Sequence, residues 1–274
     1  MPELPEVESV RRSLLPLLRR RRIETVRVLE TRLRRPVDGP ALARTLPGRR
    51  ITDLRRRGKY LLMDLSYGDL LLLHLGMSGR LRIARPADPL AVHDHLILGL
   101  GGGRELRFND TRRFGLVLLV PPGGESGHPL LQHLGLEPFC DSFRPERLRA
   151  GASGRRAPIK NFIMDAKRVA GIGNIYACES LHAAGLHPRR PAGRISLASW
   201  GRLTGAIRQV LAAAIDDGGT TLRDFRNGRD EPGFFGPRLE VYGRETAPCR
   251  RCRRPIRRIV LAGRSTFYCP GCQH

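Results

Sequence analysis

Apolar residues recur three and four positions apart at Val7, Val10, Leu14, Leu17 and Leu18, and this spacing predicts a helix over residues 5–20. Pro5 suits its first turn, Glu6 and Glu8 favour the positive end of the helix dipole, and Pro16 weakens its second half. From Ile23 to Val120 the period shortens to that of strands. Apolar runs at Tyr60–Leu65, Leu70–Leu75, Leu81–Ala84, Leu96–Leu100, Glu105–Phe108 and Leu116–Val120 are separated by Gly and Pro, with Gly101-Gly102-Gly103 as a hairpin turn. The pattern predicts a β-sandwich or flattened barrel with the first helix on one side. Helical spacing returns at Ile159–Val169, Ile175–Ala184 and Ser196–Asp216, where Ser196 or Ser199 can cap. The composition of residues 150–158 is that of a linker, and residues 218–236 are rich in Gly and Arg, a composition expected of a mobile loop.

The chain has 274 residues, enough for two domains, and its 49 Lys and Arg against 26 Asp and Glu give a formal charge of +23. A polyanion is the expected partner. With 41% hydrophobic residues the chain can bury a core, which excludes a disordered basic tail, and no apolar run approaches the length of a membrane span. The acidic start, Met1 to Glu8, has none of the features of an export signal, so a cytoplasmic location is expected. Lysine occurs only at Lys59, Lys160 and Lys167. In so arginine-rich a chain, a retained lysine suggests a position that needs a compact ammonium.

Three features carry candidate chemistry. Cys249-x2-Cys252 and Cys269-x2-Cys272 have the spacing of a zinc ribbon; four thiolates leave no open coordination position, so the metal would hold structure and do no chemistry. Cys140 and Cys178 stand apart as small buried apolar residues. Gly171-Ile172-Gly173-Asn174-Ile175 precedes a helix and either cradles a phosphate or simply turns the chain into it. The start Met1-Pro2-Glu3-Leu4-Pro5-Glu6 permits removal of Met1, which would leave a secondary amine beside two carboxyls. An α-amino group titrates near about 8, against about 10.4 for lysine, so it is the better nucleophile at neutral pH. Glu3 is placed to serve as the adjacent acid of a Schiff-base mechanism.

The segments MPELPEVE, HLGMSGRL (74–81), RRFG (112–115), GIGNIYACESLHAAGLHP (171–188), GGTTLRDF (218–225), VYGR (241–244) and the Cys pairs follow one another over nearly the whole chain. Together they resemble the bacterial formamidopyrimidine-DNA glycosylases. The resemblance implies an α+β fold: an N-terminal β-sandwich with a flanking helix, then a helical helix-two-turns-helix domain and a zinc-ribbon finger. The expected boundaries are 1–135 for the catalytic domain, 136–158 for a linker, 159–236 for the helix-two-turns-helix domain with its lesion loop, and 237–274 for the finger.

The resemblance further implies a monomeric base excision repair enzyme, a DNA glycosylase and apurinic or apyrimidinic site lyase, acting on double-stranded DNA that carries an oxidised purine or an abasic site. Pro2 would be the nucleophile, Glu3 the general acid/base with Glu6 in support, and Lys59 a contact to the damaged base or its phosphate. Met77, Arg112 and Phe114 would fill the space left by the flipped nucleotide. Lys59 would thus count with Pro2 and Glu3 as catalytic. Lys160, Asn174 and Arg264 would hold phosphates, with much of the positive charge lining one interdomain cleft, and Thr220, Thr221 and Arg223 would belong to the lesion loop. One structural Zn²⁺ would sit on Cys249, Cys252, Cys269 and Cys272, and the protein would associate with the bacterial nucleoid through DNA. Thr111, Asn161 and Arg223 depart from the family's usual Pro, Pro and Lys. Two rival readings are an endonuclease VIII-like enzyme for oxidised pyrimidines, against which Leu4 argues, and a non-catalytic zinc-dependent DNA-binding protein, in which Pro2, Glu3 and Lys59 would have no purpose.

Overall fold

The structure is a computed structural model that describes residues 1–221 and 225–274. It divides into two compact units, residues 1–132 with 217–234, and residues 133–216 with 235–274.

The first unit opens with helix α1 (Leu4–Leu18), started by a reciprocal capping box in which Glu3 and Glu6 satisfy one another's backbone N–H groups. Pro16 lies inside the last turn, and the helix stops two residues later. Strand β1 (Ile23–Val28) and the short helix α2 (Gly39–Thr45) lead into β2 (Ile51–Arg57), β3 (Tyr60–Leu65), β4 (Leu70–His74), β5 (Arg80–Ala84), β6 (Asp94–Leu100), β7 (Arg104–Asn109) and β8 (Leu116–Val120). They form two antiparallel four-stranded sheets, ordered β1-β6-β7-β5 and β2-β3-β4-β8.

The sheets share one apolar core. Leu61, Met63, Leu71 and Leu73 of one sheet and Leu81, Leu96, Leu98, Leu106 and Phe108 of the other lie in it with Val7, Val10, Leu14 and Leu18 of α1. Each such side chain, taken fully out of water, stabilises the unit by about 1.5–3 kcal/mol. The alternation that predicted six strands left out β1 and β2, where Thr25, Arg27, Arg55 and Arg57 interrupt the apolar signal and backbone pairing to β6 and β3 sets the strand instead.

In the second unit, α3 (Pro145–Ala152) and α5 (Asn174–Ala184) pack on α6 (Leu197–Asp216), whose buried Trp200 meets Phe162 of α4 (Ile159–Met164) edge-on at 5.5 Å between centroids. The expected linker therefore carries a helix. The helix expected to reach Val169 ends at Met164, because Val169, Ala170 and Ile172 are apolar to fill the core from turns and not from a helical face. Ser196 caps α6 by accepting the Ser199 N–H at 3.2 Å, and α5 ends at Gly185, whose φ of 71° is the left-handed conformation that closes helices. Strands β9 (Arg257–Leu261) and β10 (Arg264–Tyr268) form a hairpin between the Cys pairs.

The stretch 217–234 is a further difference, since the expected boundaries put it with the helices and it folds with the first unit. Its backbone is bound to α1: Thr220 N–H donates to Glu6 at 2.8 Å, and Gly228 N–H to Ser13 Oγ at 2.9 Å.

Candidate functional site

The start of α1 gathers most of the predicted chemistry of the first unit. Pro2, Glu3 and Glu6 are buried, and the Glu3 N–H donates to Glu6 Oε2 at 2.7 Å. The chain's amino group, carried by Met1, is pushed below its usual range by burial; Glu3 and Glu6 oppose the shift, and the positive charges of Lys59 and Arg112 add to it. Four predicted residues, from three separate segments of the chain, thus act electrostatically on one amine.

Lys59 owes its position to the β2–β3 hairpin. Arg57 pairs with Tyr60, so Gly58 and Lys59 form a two-residue loop, and Gly58, at φ 57°, takes the left-handed conformation such turns need. Next to it the His74 ring meets that of Tyr60 at a tilt, 4.9 Å between centroids, and accepts the Gly76 N–H on Nδ1 at 2.9 Å. Burial, with Arg34 and Lys59 nearby, holds His74 at about 4, so it is a neutral acceptor.

Met77 and Phe114 are exposed at 43% and 46%, unlike core residues of their type, and Arg112 stacks on Phe114 at 5.0 Å. Gly76, at φ 61°, lets the two loops meet: a side chain there would collide with the Phe114 carbonyl. Asp110 anchors this arrangement. Its buried carboxylate accepts Ser78 Oγ–H at 2.6 Å and Gly115 N–H at 2.7 Å, and Ser78 Oγ accepts the Arg112 N–H at 3.1 Å. Sequence reasoning missed Asp110, Ser78 and His74, although all three adjoin the RRFG and HLGMSG segments.

Thr220 is buried against Glu6, and Thr221 Oγ1 accepts the Gly233 N–H at 2.8 Å while donating to the Phe225 carbonyl at 3.2 Å. Arg223 lies outside the described residues.

In the second unit, Lys160 is fully buried, and its ammonium donates to Asn174 Oδ1 at 2.5 Å and Thr266 Oγ1 at 2.6 Å. Asn174 Nδ2 donates in turn to the Ser265 carbonyl at 2.9 Å. Lys160 was expected at phosphate; in the structure its ammonium ties α4 to the start of α5 and to β10. Arg264 is exposed at the head of β10. Glu179, also missed, is buried and accepts the N–H groups of Glu240, Val241 and Tyr242 at 2.8, 3.0 and 2.8 Å, fixing the chain before the finger to α5.

The four cysteine sulfurs lie within 4.8 Å of one another, with Cys249–Cys272 at 3.9 Å and Cys252–Cys269 at 3.3 Å. In a tetrahedral shell with Zn–S near about 2.3 Å, sulfurs stand roughly 3.8 Å apart. The residues fit one structural zinc, held by Cys249, Cys252, Cys269 and Cys272.

A β-sandwich that opens on a buried, acid-flanked helix start, together with a helical unit carrying a tetrathiolate finger, matches the domain set of one class of DNA glycosylase. Family models for the formamidopyrimidine-DNA glycosylase N-terminal domain, its H2TH domain and the zinc finger found in FPG and IleRS match residues 1–117, 134–226 and 248–274. The chain belongs to the formamidopyrimidine-DNA glycosylase family. It is 53% identical over 273 residues to the formamidopyrimidine-DNA glycosylase of Methylococcus capsulatus and 49% to that of Stenotrophomonas maltophilia, each match spanning 100% of both chains. Among solved structures it is similar to the MutM (Fpg) protein of Thermus thermophilus (42% identity, TM-score 0.88, 99% and 98% of the two chains). It is also similar to wild-type Lactococcus lactis Fpg in complex with N7-benzyl-Fapy-dG DNA (32% identity, TM-score 0.92, 100% of both chains).

Proposed function

We propose that this enzyme excises oxidised purines, 8-oxoguanine and formamidopyrimidines, from duplex DNA and then cuts the strand at the resulting abasic site. The observation that carries the reading is that Pro2, Glu3 and Glu6 are buried together at the head of α1, with Lys59 and Arg112 close enough to act on the chain's amino group. Removal of Met1 turns the Pro2 nitrogen from an amide into a secondary amine. That nitrogen attacks C1′ of the flipped nucleotide; the C1′–base bond breaks, and the base leaves with a proton. Glu3 protonates the ring oxygen as the sugar opens, leaving an iminium between Pro2 and C1′. The iminium acidifies the C2′ proton, so the 3′ phosphate and then the 5′ phosphate leave by β- and δ-elimination.

Met77, Arg112 and Phe114 occupy the vacated space in the duplex, an assignment supported by the exposure of these side chains on one Asp110-anchored loop pair. Asn174 and Arg264 bind phosphate, Lys160 positions Asn174, and Thr220 and Thr221 belong to the loop that contacts the lesion. The sandwich is the catalytic domain, and the helices and finger are the DNA-binding part. No helix among the described residues is long and apolar enough to cross a membrane; the enzyme works in the cytoplasm, on the nucleoid.

Borohydride added to the protein with an 8-oxoguanine duplex should trap an adduct on residue 2, and an N-terminal extension that survives processing should abolish trapping while duplex binding persists. An adduct on any lysine instead would overturn the assignment of Pro2. The lesion panel should include an oxidised pyrimidine, since a Lactococcus lactis Fpg structure at 32% identity contains DNA with such a lesion.

A further inference from the structure

Helix α5 is fastened to the finger and the chain leading into it at successive heights. Asn174 binds the Ser265 carbonyl at its first turn, Glu179 binds the backbone of 240–242 in its middle, and at its last turn His182 Nε2 lies 3.8 Å from Cys249 Sγ. The first two contacts are peptide chemistry. The third touches a metal ligand.

His182 is fully buried, and its Nδ1 has no hydrogen-bond partner among the described residues. A neutral imidazole carries one N–H, and a buried N–H left unpaired costs about 1–3 kcal/mol, more than a bare lone pair. The proton therefore belongs on Nε2, the nitrogen that faces sulfur. Cys178, one turn earlier on the same face of α5, lies in the apolar cluster that contains Cys249, Ile256, Phe267 and Cys269, so this face of the helix is packed on the finger.

Four thiolates around Zn²⁺ leave a net charge of −2. Cys252 is exposed and shares its charge with water; Cys249 is buried and cannot. A nearby N–H is the one means of spreading the charge on that sulfur without opening the site.

We propose that His182 is a positioning residue of the zinc centre, donating its Nε2–H to the Cys249 thiolate and so binding the metal cluster to the end of α5. The proposal rests on the zinc assignment. It makes α5 and the finger one body, in which loss of zinc frees the far end of the helix that presents Asn174.

The test uses the full-length, zinc-loaded protein and a competing chromophoric chelator. His182→Phe fills the same space without an N–H and should weaken zinc retention roughly 10- to 100-fold, the range for partners of metal ligands. His182→Gln, which restores an N–H, should recover part of the loss. Equal retention by His182→Phe and the parent overturns the proposal; a parent that binds no zinc overturns the metal assignment beneath it. A second measurement needs no variant: with a spin-half cadmium isotope in place of zinc, the His182 Nε2 proton should show scalar coupling to the metal through sulfur. A proton found on Nδ1 overturns the proposal.

Discussion

Glu6 accepts the N–H of Thr220, 214 positions away in sequence, at 2.8 Å with the same carboxylate that accepts the Glu3 N–H at 2.7 Å. One side chain thus sets both the start of α1 and the edge of the 217–234 stretch. The neighbourhood of the proposed nucleophile and the proposed lesion loop are coupled through it.

Glu6→Gln replaces one acceptor oxygen with an amide NH₂, so one of the two backbone donors faces another donor. The variant should be destabilised by about 2 kcal/mol in urea unfolding, in the range for a buried charged hydrogen bond. Thr220 should exchange its amide hydrogen faster while amides of β4 keep their protection, and adduct formation with lesion DNA should slow. Unchanged exchange at Thr220 would contradict the coupling.

Phe114 and Arg112 are exposed in the free protein, so Phe114→Ala should change stability by no more than about 0.5 kcal/mol. Excision from duplex should nevertheless fall sharply, because the cost of extruding the base is no longer offset by the wedge. Cleavage of a lesion in a single strand should fall far less. Equal losses on both substrates would remove the wedge assignment.

Lys160 and Arg264 can be separated by salt. Each phosphate contact adds about 0.9 to the slope of log binding constant against log salt concentration. Arg264→Ala should reduce the slope by about that amount. Lys160→Met should leave the slope nearly unchanged and cost about 2–3 kcal/mol of stability, because Asn174 Oδ1 and Thr266 Oγ1 lose a buried charged donor. A fall of about 0.9 for Lys160→Met would return that lysine to direct phosphate contact.

His74 gives the first unit an acid sensitivity. Its folded value of about 4 lies below the 6.5 of an exposed histidine, so the unfolded chain takes up the proton first as pH falls. Its contribution is intact above about pH 6.5, declines between 6.5 and 4, and is lost below 4, where the penalty approaches about 3 kcal/mol. His74→Asn, which keeps an acceptor for Gly76, should show a shallower fall in urea stability between about pH 7 and 4.5 than the parent. Parallel curves would mean that His74 does not titrate in this range.

Local pattern made much of this protein legible. Apolar spacing located α1, α5, α6 and six strands, because a helix face or a pleated strand repeats within a few residues. The spacing of two Cys pairs 16 residues apart was enough to place the metal, since a tetrathiolate shell needs little more than two tight turns brought together. The acidic Pro-containing start raised the expectation of a reactive terminus. Resemblance then extended this to Lys59, Arg112 and Phe114, whose proposed roles no local period expresses.

Contacts across long stretches of chain were decided by tertiary packing alone. Nothing in the composition of 217–234 says that its backbone will bind Glu6 and Ser13, and nothing near Lys160 says that its ammonium will be buried between Asn174 and Thr266, the latter 106 positions on. His182 looks like one more residue of a buried helix until the finger folds against it. The physical reason is common to all three: periodicity reports which face of an element is buried, whereas the partner met on that face depends on how elements distant in sequence pack.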